Sequence, residues 1–225
     1  MTHCFCVLGW HFQAEFYEQL WPLPGDKYII SHRAPEFFDA RDPLFIRLQP
    51  RLYFCANQGL EWGGYHQFNA MGRYLDYDFV VYMHDDVIIK DASLVSAVRE
   101  KFQNEPGVQV IGNGRNGSDW EFRFGKYRER MPYDEADDFI VRTVRGSFFA
   151  ARSTIFEKLG NFPVHWRAKK MTHGNLSLRN FGYLVSKHFG RESIAYLEAE
   201  SWLETKYLVE LQRGEPATIR EDTFV

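Results

Sequence analysis

The sequence lacks three features that would each assign it to a broad class of protein. It has only three cysteines, Cys4, Cys6 and Cys55, and Cys4 and Cys6 are spaced so that in a strand they share a face and cannot easily bridge. No stretch approaches the ~20 apolar residues that span a bilayer. The first residues lack the charged and apolar regions of a signal peptide. We therefore expect buried thiols, no disulfide framework, no transmembrane segment and a cytoplasmic location.

The sequence also lacks a large excess of charge of either sign. The chain has 27 Lys and Arg residues against 30 Asp and Glu residues, for a formal net charge of -3, which argues against a protein that coats nucleic acid electrostatically. Internal repeats and low-complexity segments are absent from the sequence. Hydrophobic residues make up 45% of the 225 residues, enough for a globular core. We predict a single domain over 1–225.

Short apolar runs alternate with amphipathic stretches along the first half of the chain. The pattern predicts strands at 4–8, 28–30, 51–55, 78–83 and 108–111, and helices at about 13–20, 64–75 and 91–103. The run Asp-Phe-Val-Val-Tyr-Met at 78–83 is nearly continuous, as expected for a parallel strand covered on both faces. The alternation predicts an α/β fold, Rossmann-like, with a mostly parallel central sheet flanked by helices.

The C-terminal part has mixed signals. A helical pattern reaches Phe189, and 194–197 reads as a strand. From 201 to 213, the apolar residues fall on helical spacing and predict an amphipathic helix. Its apolar stripe would contact the core or a second copy in a homodimer.

The most informative segment is Tyr-Met-His-Asp-Asp-Val at 82–87, where Asp85 and Asp86 follow a buried strand. Open α/β sheets bind their ligands at this end of the strands. Two adjacent acids repel each other unless a cation or donors compensate, and a divalent ion shared with a diphosphate is a natural compensator. The alternative is that both acids cap the turn before a helix at Asp91.

Motifs on either side of this segment resemble those of family 2-type GT-A glycosyltransferases. Asn57-Gln-Gly59 and Gly63-Gly64 precede the acidic strand end, as Asn-x-Gly and a small-residue helix precede the short acidic DxD motif in that family. A second block contains Gly146 in Val-Arg-Gly-Ser-Phe-Phe-Ala-Ala-Arg and ends in Gly-Asn-Phe at 160–162. It resembles the family's later glycine strand, helix and Gly-x-Phe turn. The resemblance covers about 4–162 and implies the GT-A fold.

The resemblance also implies roles for individual residues. Asp86 would ligate Mn²⁺ or Mg²⁺, and Asp85 would share that role or hold the ribose. The loop of Gly9, Trp10 and His11 would border the nucleotide base. Residues 1–112 would form the nucleotide-sugar-binding half, and 113–225 the acceptor side.

Three glycine and asparagine positions complete the implied site. Asn57 and Gly59 would shape the nucleotide pocket, unless they only signal a turn. Gly146 would let the backbone approach the sugar or the acceptor closely, unless it only serves strand packing.

The sequence departs from the family at three places. His84 stands where many relatives have a first acid. Ser-His-Arg at 31–33 replaces the acid that commonly contacts the base. The Glu-Asp pair that often supplies a catalytic base is missing, and Met-Thr-His-Gly-Asn stands at 171–175. His173 is therefore a candidate base or metal ligand, and Asp134, Asp137 and Asp138 are further candidate bases.

Together these features predict a metal-dependent hexosyl- or pentosyltransferase that moves a sugar from a nucleotide-diphosphate sugar, with UDP as the expected nucleotide, to an acceptor hydroxyl. The expected acceptor classes are a saccharide, a lipid-linked sugar, a protein and a modified DNA base. One alternative is a nucleotidyltransferase, although Gly-Trp-His-Phe at 9–12 lacks the expected Gly-rich phosphate loop. The other is a catalytically inactive nucleotide-sugar-binding module, which the missing Glu-Asp pair favours and the intact Asp pair disfavours.

Overall fold

The structure is a computed structural model that describes residues 1–115, 142–167, 171–198 and 201–211, with 171–175 described by their backbone alone. Asp134, Asp137 and Asp138 lie outside the described residues. His173 lies in the first turn of a helix, and its side chain is outside the description.

The described strands are β1 (His3–Gly9), β2 (Asp26–Ser31), β3 (Leu52–Phe54), β4 (Phe79–His84), β5 (Val87–Ile89), β6 (Val110–Gly114), β7 (Phe148–Arg152), β8 (Ile194–Glu198) and β9 (Leu208–Glu210). Seven of them form the central sheet, in the order β3-β2-β1-β4-β7-β6-β8, and β5 and β9 form a separate two-stranded sheet. The helices are α1 (Ala14–Leu20), α2 (Pro43–Leu48), α3 (Leu60–Ala70), α4 (Leu94–Asn104), α5 (Phe156–Leu159) and α6 (Met171–Phe189).

Among the described strands of the central sheet, only β7 runs against its neighbours, since it pairs antiparallel with β4 and β6 while the other pairs are parallel. The predicted α/β fold with a mostly parallel sheet is therefore confirmed. The sheet takes strands from both predicted halves of the chain, 1–112 and 113–225, and the division of function between them stays a prediction.

The central strands are hydrophobic on both faces because each face meets a separate core. In β1, Phe5 and Val7 pack into one hydrophobic cluster, and Cys4, Cys6 and Leu8 into the other. This alternation follows from the two-residue period of a strand. Cys4 and Cys6 are buried free thiols whose pKa values are raised by burial, as expected for small core residues.

Helix α3 begins earlier than the sequence pattern predicted. Its N-cap is Gly59, in the left-handed conformation at φ 75°, so Gly63 and Gly64 lie inside the helix and not in a turn before it. A Cβ on Gly63 would stand 1.7 Å from the Gln58 carbonyl oxygen, and one on Gly64 would stand 2.5 Å from Leu8. The glycines are there because the helix passes too close to its neighbours for any side chain.

Two other predictions about local structure were wrong. Asp91 does not cap a helix directly: its Oδ1 accepts the Ser93 amide, and α4 begins at Leu94. The segment from 201 is not an amphipathic helix over its described residues, because Leu208–Glu210 forms β9 and pairs antiparallel with β5. Within the described ranges, no helix has the length and apolar character needed to cross a membrane.

Candidate functional site

The strand order reverses at β1, which makes the carboxyl ends of β1 and β4 a natural binding crevice. β2 and β3 lie on one side of β1, whereas β4 lies on the other, and open α/β sheets bind ligands at such a point. Residues 9–12, at the carboxyl end of β1, form what we call the β1 wall. Residues 145–147, which lead into β7 on the other edge of β4, and residues 208–211, which include β9, form the β9 wall. Asp85 and Asp86 lie between the two walls.

The Asp85 carboxylate is turned toward the β1 wall. Its Oδ2 accepts the backbone N–H groups of Trp10 at 3.1 Å, His11 at 3.0 Å and Phe12 at 2.7 Å, and the Tyr17 hydroxyl at 3.4 Å. The residue is 1% exposed. Burial raises the pKa of Asp85. The hydrogen bonds from the three backbone amides oppose that rise, because they favour the ionised carboxylate over the neutral acid.

The Asp86 carboxylate is turned the other way, toward two histidines. Oδ1 lies 3.6 Å from His84 Nδ1 and Oδ2 lies 3.9 Å from His11 Nε2, and the side chain is 20% exposed. Oδ1 is buried and has no hydrogen-bond partner. Of the two acids, Asp86 is therefore the one whose carboxylate is partly exposed to the crevice, whereas the oxygens of Asp85 face backbone donors.

The site is electrostatically dominated by acids around His84. Burial lowers the pKa of His84, but Asp86, Glu61 and Glu210 together raise it to about 9. Burial raises the pKa of Asp86, but its attraction to His84 and His11 outweighs this and leaves the pKa below its usual value. His84, which stands where relatives have an acid, is therefore a positive charge in a negative surrounding.

The β9 wall contains a carboxylate that sequence reasoning missed. Glu210 Oε2 accepts the Ser147 hydroxyl at 2.8 Å, and Oε1 lies 3.7 Å from an Arg145 guanidinium nitrogen. The guanidinium stacks on Trp202, with Cζ 3.1 Å from the ring centroid. The Leu211 amide donates to the Asp86 carbonyl at 2.9 Å. Glu210 gave no signal because its segment read as a helix far from the acidic motif.

The β1 wall also carries an aromatic and cationic surface. The Arg33 guanidinium lies over the Trp10 ring, with Cζ 3.9 Å from its centroid, and Nε donates to the Trp10 carbonyl at 2.8 Å. Phe37 faces the same guanidinium at 4.8 Å. At Gly9 a Cβ would meet the Phe12 ring at 2.4 Å, so the loop must fold back over a residue without a side chain.

Asn57, Gly59 and Gly146 each occupy a tightly packed position. Asn57 is buried, and neither its amide nitrogen nor its oxygen has a hydrogen-bond partner. A Cβ on Gly59 would stand 2.3 Å from Val164. The Gly146 carbonyl accepts the Tyr65 hydroxyl at 2.6 Å, and a Cβ there would stand 2.7 Å from Glu61.

Buried polar atoms without partners recur at the carboxyl ends of the strands. After β2 there is His32 Nε2, after β3 both polar atoms of Asn57, and at the end of β4 His84 Nε2 and Asp86 Oδ1. Burial, helped by nearby His84, lowers the pKa of His32 to about 4, so this ring is neutral. Buried groups of this kind usually have partners, and a polar ligand in the crevice would supply them.

The residues present fit a divalent cation only if a ligand completes its coordination. Across the described residues, no three His, Cys, Asp or Glu side chains come together to hold an ion. However, Mg²⁺ is commonly held by one or two carboxylates together with substrate phosphates. Asp86, whose side chain is 20% exposed, meets that requirement. The roles of His173 and of the other predicted site residues stay predictions.

Comparison with solved structures identifies the fold. The chain is similar to glucosyl-3-phosphoglycerate synthase from Mycobacterium tuberculosis at 14% identity and a TM-score of 0.55, over 96% of this chain and 74% of that one. The same enzyme in complex with Mn²⁺, UDP-glucose and phosphoglyceric acid matches with a TM-score of 0.53, over 91% and 72%. A structure described as a mycobacterial protein matches at 13% identity and a TM-score of 0.55, over 91% and 68%.

At the level of sequence, no protein-family model matches the chain, and no curated protein does. The structural likeness nevertheless agrees with the sheet order, the mostly parallel strands and the flanking helices described above. The chain therefore has the GT-A fold of the glycosyltransferases, as its sequence motifs implied.

Proposed function

We propose that this protein is a metal-dependent glycosyltransferase that moves a sugar from a nucleoside-diphosphate sugar to an acceptor hydroxyl. The observation that carries the proposal is the Asp86 carboxylate, which lies where the strand order reverses and has a buried oxygen without a hydrogen-bond partner. Three acids distant in sequence, Glu61, Asp86 and Glu210, raise the pKa of His84, and this negative charge favours a cation in the crevice.

The donor is proposed to be a UDP-sugar. Solved structures with the same fold hold UDP-glucose and Mn²⁺, which makes UDP-glucose the first donor to test. Trp10 and Arg33, which stack on each other at the β1 wall, would border the base. Asn57, whose buried amide has no partner, would face the nucleotide.

The proposed steps use different parts of the crevice. Asp86 would hold Mn²⁺ or Mg²⁺ together with diphosphate oxygens, and the ion, when bound, neutralises charge on the leaving phosphate. The acceptor would approach along the β9 wall, beside Gly146, where the absent side chain makes room for Glu61. His173, Asp137 and Asp138 stay the proposed candidates for the base that accepts the hydroxyl proton.

A donor screen tests the proposal. Thermal unfolding is measured with a set of nucleotide sugars, with Mn²⁺ and with excess chelator, because a cognate ligand stabilises the protein by mass action. We expect a rise in melting temperature for UDP-glucose or another nucleotide sugar with Mn²⁺ only. Release of free sugar is followed in the same samples. Binding with the donor left intact, also with candidate acceptors present, would favour the inactive binding module.

A further inference from the structure

We propose that Asp85 is a positioning residue that holds the β1 wall in its donor-binding conformation, and is neither a metal ligand nor a ribose contact. The inference rests on the proposed function for its consequence, but its geometry is independent of any ligand. Of the two adjacent acids, Asp86 would bind the ligand and Asp85 would hold the loop.

Three successive amides in the β1 wall point at one acceptor. The N–H groups of Trp10, His11 and Phe12 all reach Asp85 Oδ2, at 3.1, 3.0 and 2.7 Å. Successive backbone N–H groups of this kind form a concave nest that binds anions, including phosphates. In this protein a carboxylate of the chain itself fills the nest. The diphosphate must therefore bind elsewhere in the crevice, and Asp86 is the adjacent acid whose side chain is partly exposed.

The conformation of the loop needs this support. Phe12 has φ 51°, in the left-handed region that a residue with a side chain rarely adopts. Its amide makes the shortest of the Asp85 contacts. Its ring packs edge-on against Phe38, with centroids 4.6 Å apart. Backbone strain of this kind persists only where surrounding contacts hold it, and the Asp85 carboxyl group is the polar contact made by the Phe12 amide.

The held loop places two groups that the donor would meet. Trp10 presents its ring to Arg33 on one side of the loop, and His11 is brought to 3.9 Å from Asp86 on the other. Because Asp85 is covalently next to Asp86, one residue links the base side of the crevice to its acidic centre. Loss of the Asp85 carboxylate should therefore weaken donor binding while leaving the metal carboxylate in place.

The test compares two neighbouring, chemically identical changes, Asp85→Asn and Asp86→Asn. Amide hydrogen exchange of residues 10–12 is measured by NMR in metal-free protein, and affinities for Mn²⁺ and for UDP-glucose are measured by titration. For Asp85→Asn we expect exchange of the three amides to quicken by about 10-fold to 100-fold, the worth of a charge-assisted bond. UDP-glucose affinity should fall by a similar factor, with the Mn²⁺ requirement unchanged.

Asp86→Asn should show the opposite result, with native exchange at residues 10–12 and a weakened response to Mn²⁺. Unchanged exchange in Asp85→Asn, or a loss of Mn²⁺ response equal to that of Asp86→Asn, would overturn the proposal. If Asp85→Asn does not fold, Tyr17→Phe, which removes one donor, should quicken exchange about 2-fold to 3-fold. No effect of Tyr17→Phe would then count against it. If the unmodified protein binds no nucleotide sugar, the proposed function fails, while the exchange measurement still decides the role of Asp85.

Discussion

The two walls of the crevice are each held by a carboxylate, but the donors that hold them differ in kind. At the β1 wall, Asp85 accepts three backbone amides. At the β9 wall, Glu210 is held by the Ser147 hydroxyl and the Arg145 guanidinium. A backbone amide is present whatever side chain a position carries, apart from proline. The amide hydrogen bonds of the β1 wall therefore converge on one residue, whereas the β9 wall depends on several side chains.

This difference bears on how each wall can change. Substitutions at Trp10 or His11 alter what the β1 wall presents without altering the bonds that shape it. At the β9 wall, the side chains that shape the surface are also the ones that a ligand would meet. We expect the first wall to keep its form as specificity changes, and the second to change form and specificity together.

The largest effect is expected at Asp86, which lies between the walls. Asp86→Asn should lower Mn²⁺-dependent turnover of UDP-glucose by roughly 10²-fold to 10⁴-fold, because the change removes the charge that would hold the ion. Circular dichroism should remain native, since the residue follows the strand and is not part of the core. Turnover is measured as release of UDP. Full turnover by unmodified protein in excess chelator would contradict the metal requirement.

The next largest effect is expected from His84, which lies between Asp86 and the β9 wall. Its backbone N–H donates a hydrogen bond to the Ser147 carbonyl at 3.0 Å. Its pKa of about 9 in the folded protein lies above the ordinary value of 6.5. Protonated His84 therefore contributes fully to the unfolding free energy below pH 6.5. This contribution declines as the pH rises and is lost above pH 9. The loss amounts to about 3 kcal/mol of unfolding free energy.

Urea unfolding at several pH values, in chelator, measures this contribution. His84→Gln is the control, because glutamine does not titrate, and the difference between the two proteins should shrink from pH 6.5 to pH 9. A difference that stays constant across that range would mean that His84 is not charged in the folded protein.

The smallest effects separate the two walls directly. Ser147→Ala removes a 2.8 Å bond to a carboxylate at the β9 wall and should cost about 1 to 2 kcal/mol of unfolding free energy. Tyr17→Phe removes a 3.4 Å contact from Asp85, whose three amide bonds remain, and should cost less than about 1 kcal/mol. Denaturant unfolding of both variants measures the order. Equal or reversed costs would mean that the β1 wall, too, depends on side chains.

The sequence allowed prediction of those parts of the fold that local pattern decides. β1 and β4 were predictable because parallel strands buried on both faces read as continuous apolar runs. The position of Asp85 and Asp86 followed from their place after β4. The assignment of one acid to the loop could not be predicted, because its donors are amides at 10–12, distant in sequence and silent in a side-chain pattern.

The β9 wall was missed for a related reason. Trp202, Tyr207 and Leu208 fit a helical spacing, yet Leu208–Glu210 forms a strand because β5 offers it a partner. Such a pairing joins residues more than a hundred positions apart, and tertiary contacts of this kind override local preference. Gly63 was wrongly predicted to lie in a turn for the same kind of reason. It is a glycine because a side chain there would collide with the Gln58 carbonyl oxygen.

The reversed strand β7 has a consequence for how the chain assembles as it is synthesised. β7 lies between β4 and β6 in the sheet but follows both along the chain. Until Phe148–Arg152 has left the ribosome, β4 therefore has an unpaired edge, and β6 has no direct place beside it. Unpaired edges of buried strands promote aggregation. Nascent chains that end before Phe148 should need protection by chaperones, because these five residues join the two parts of the sheet.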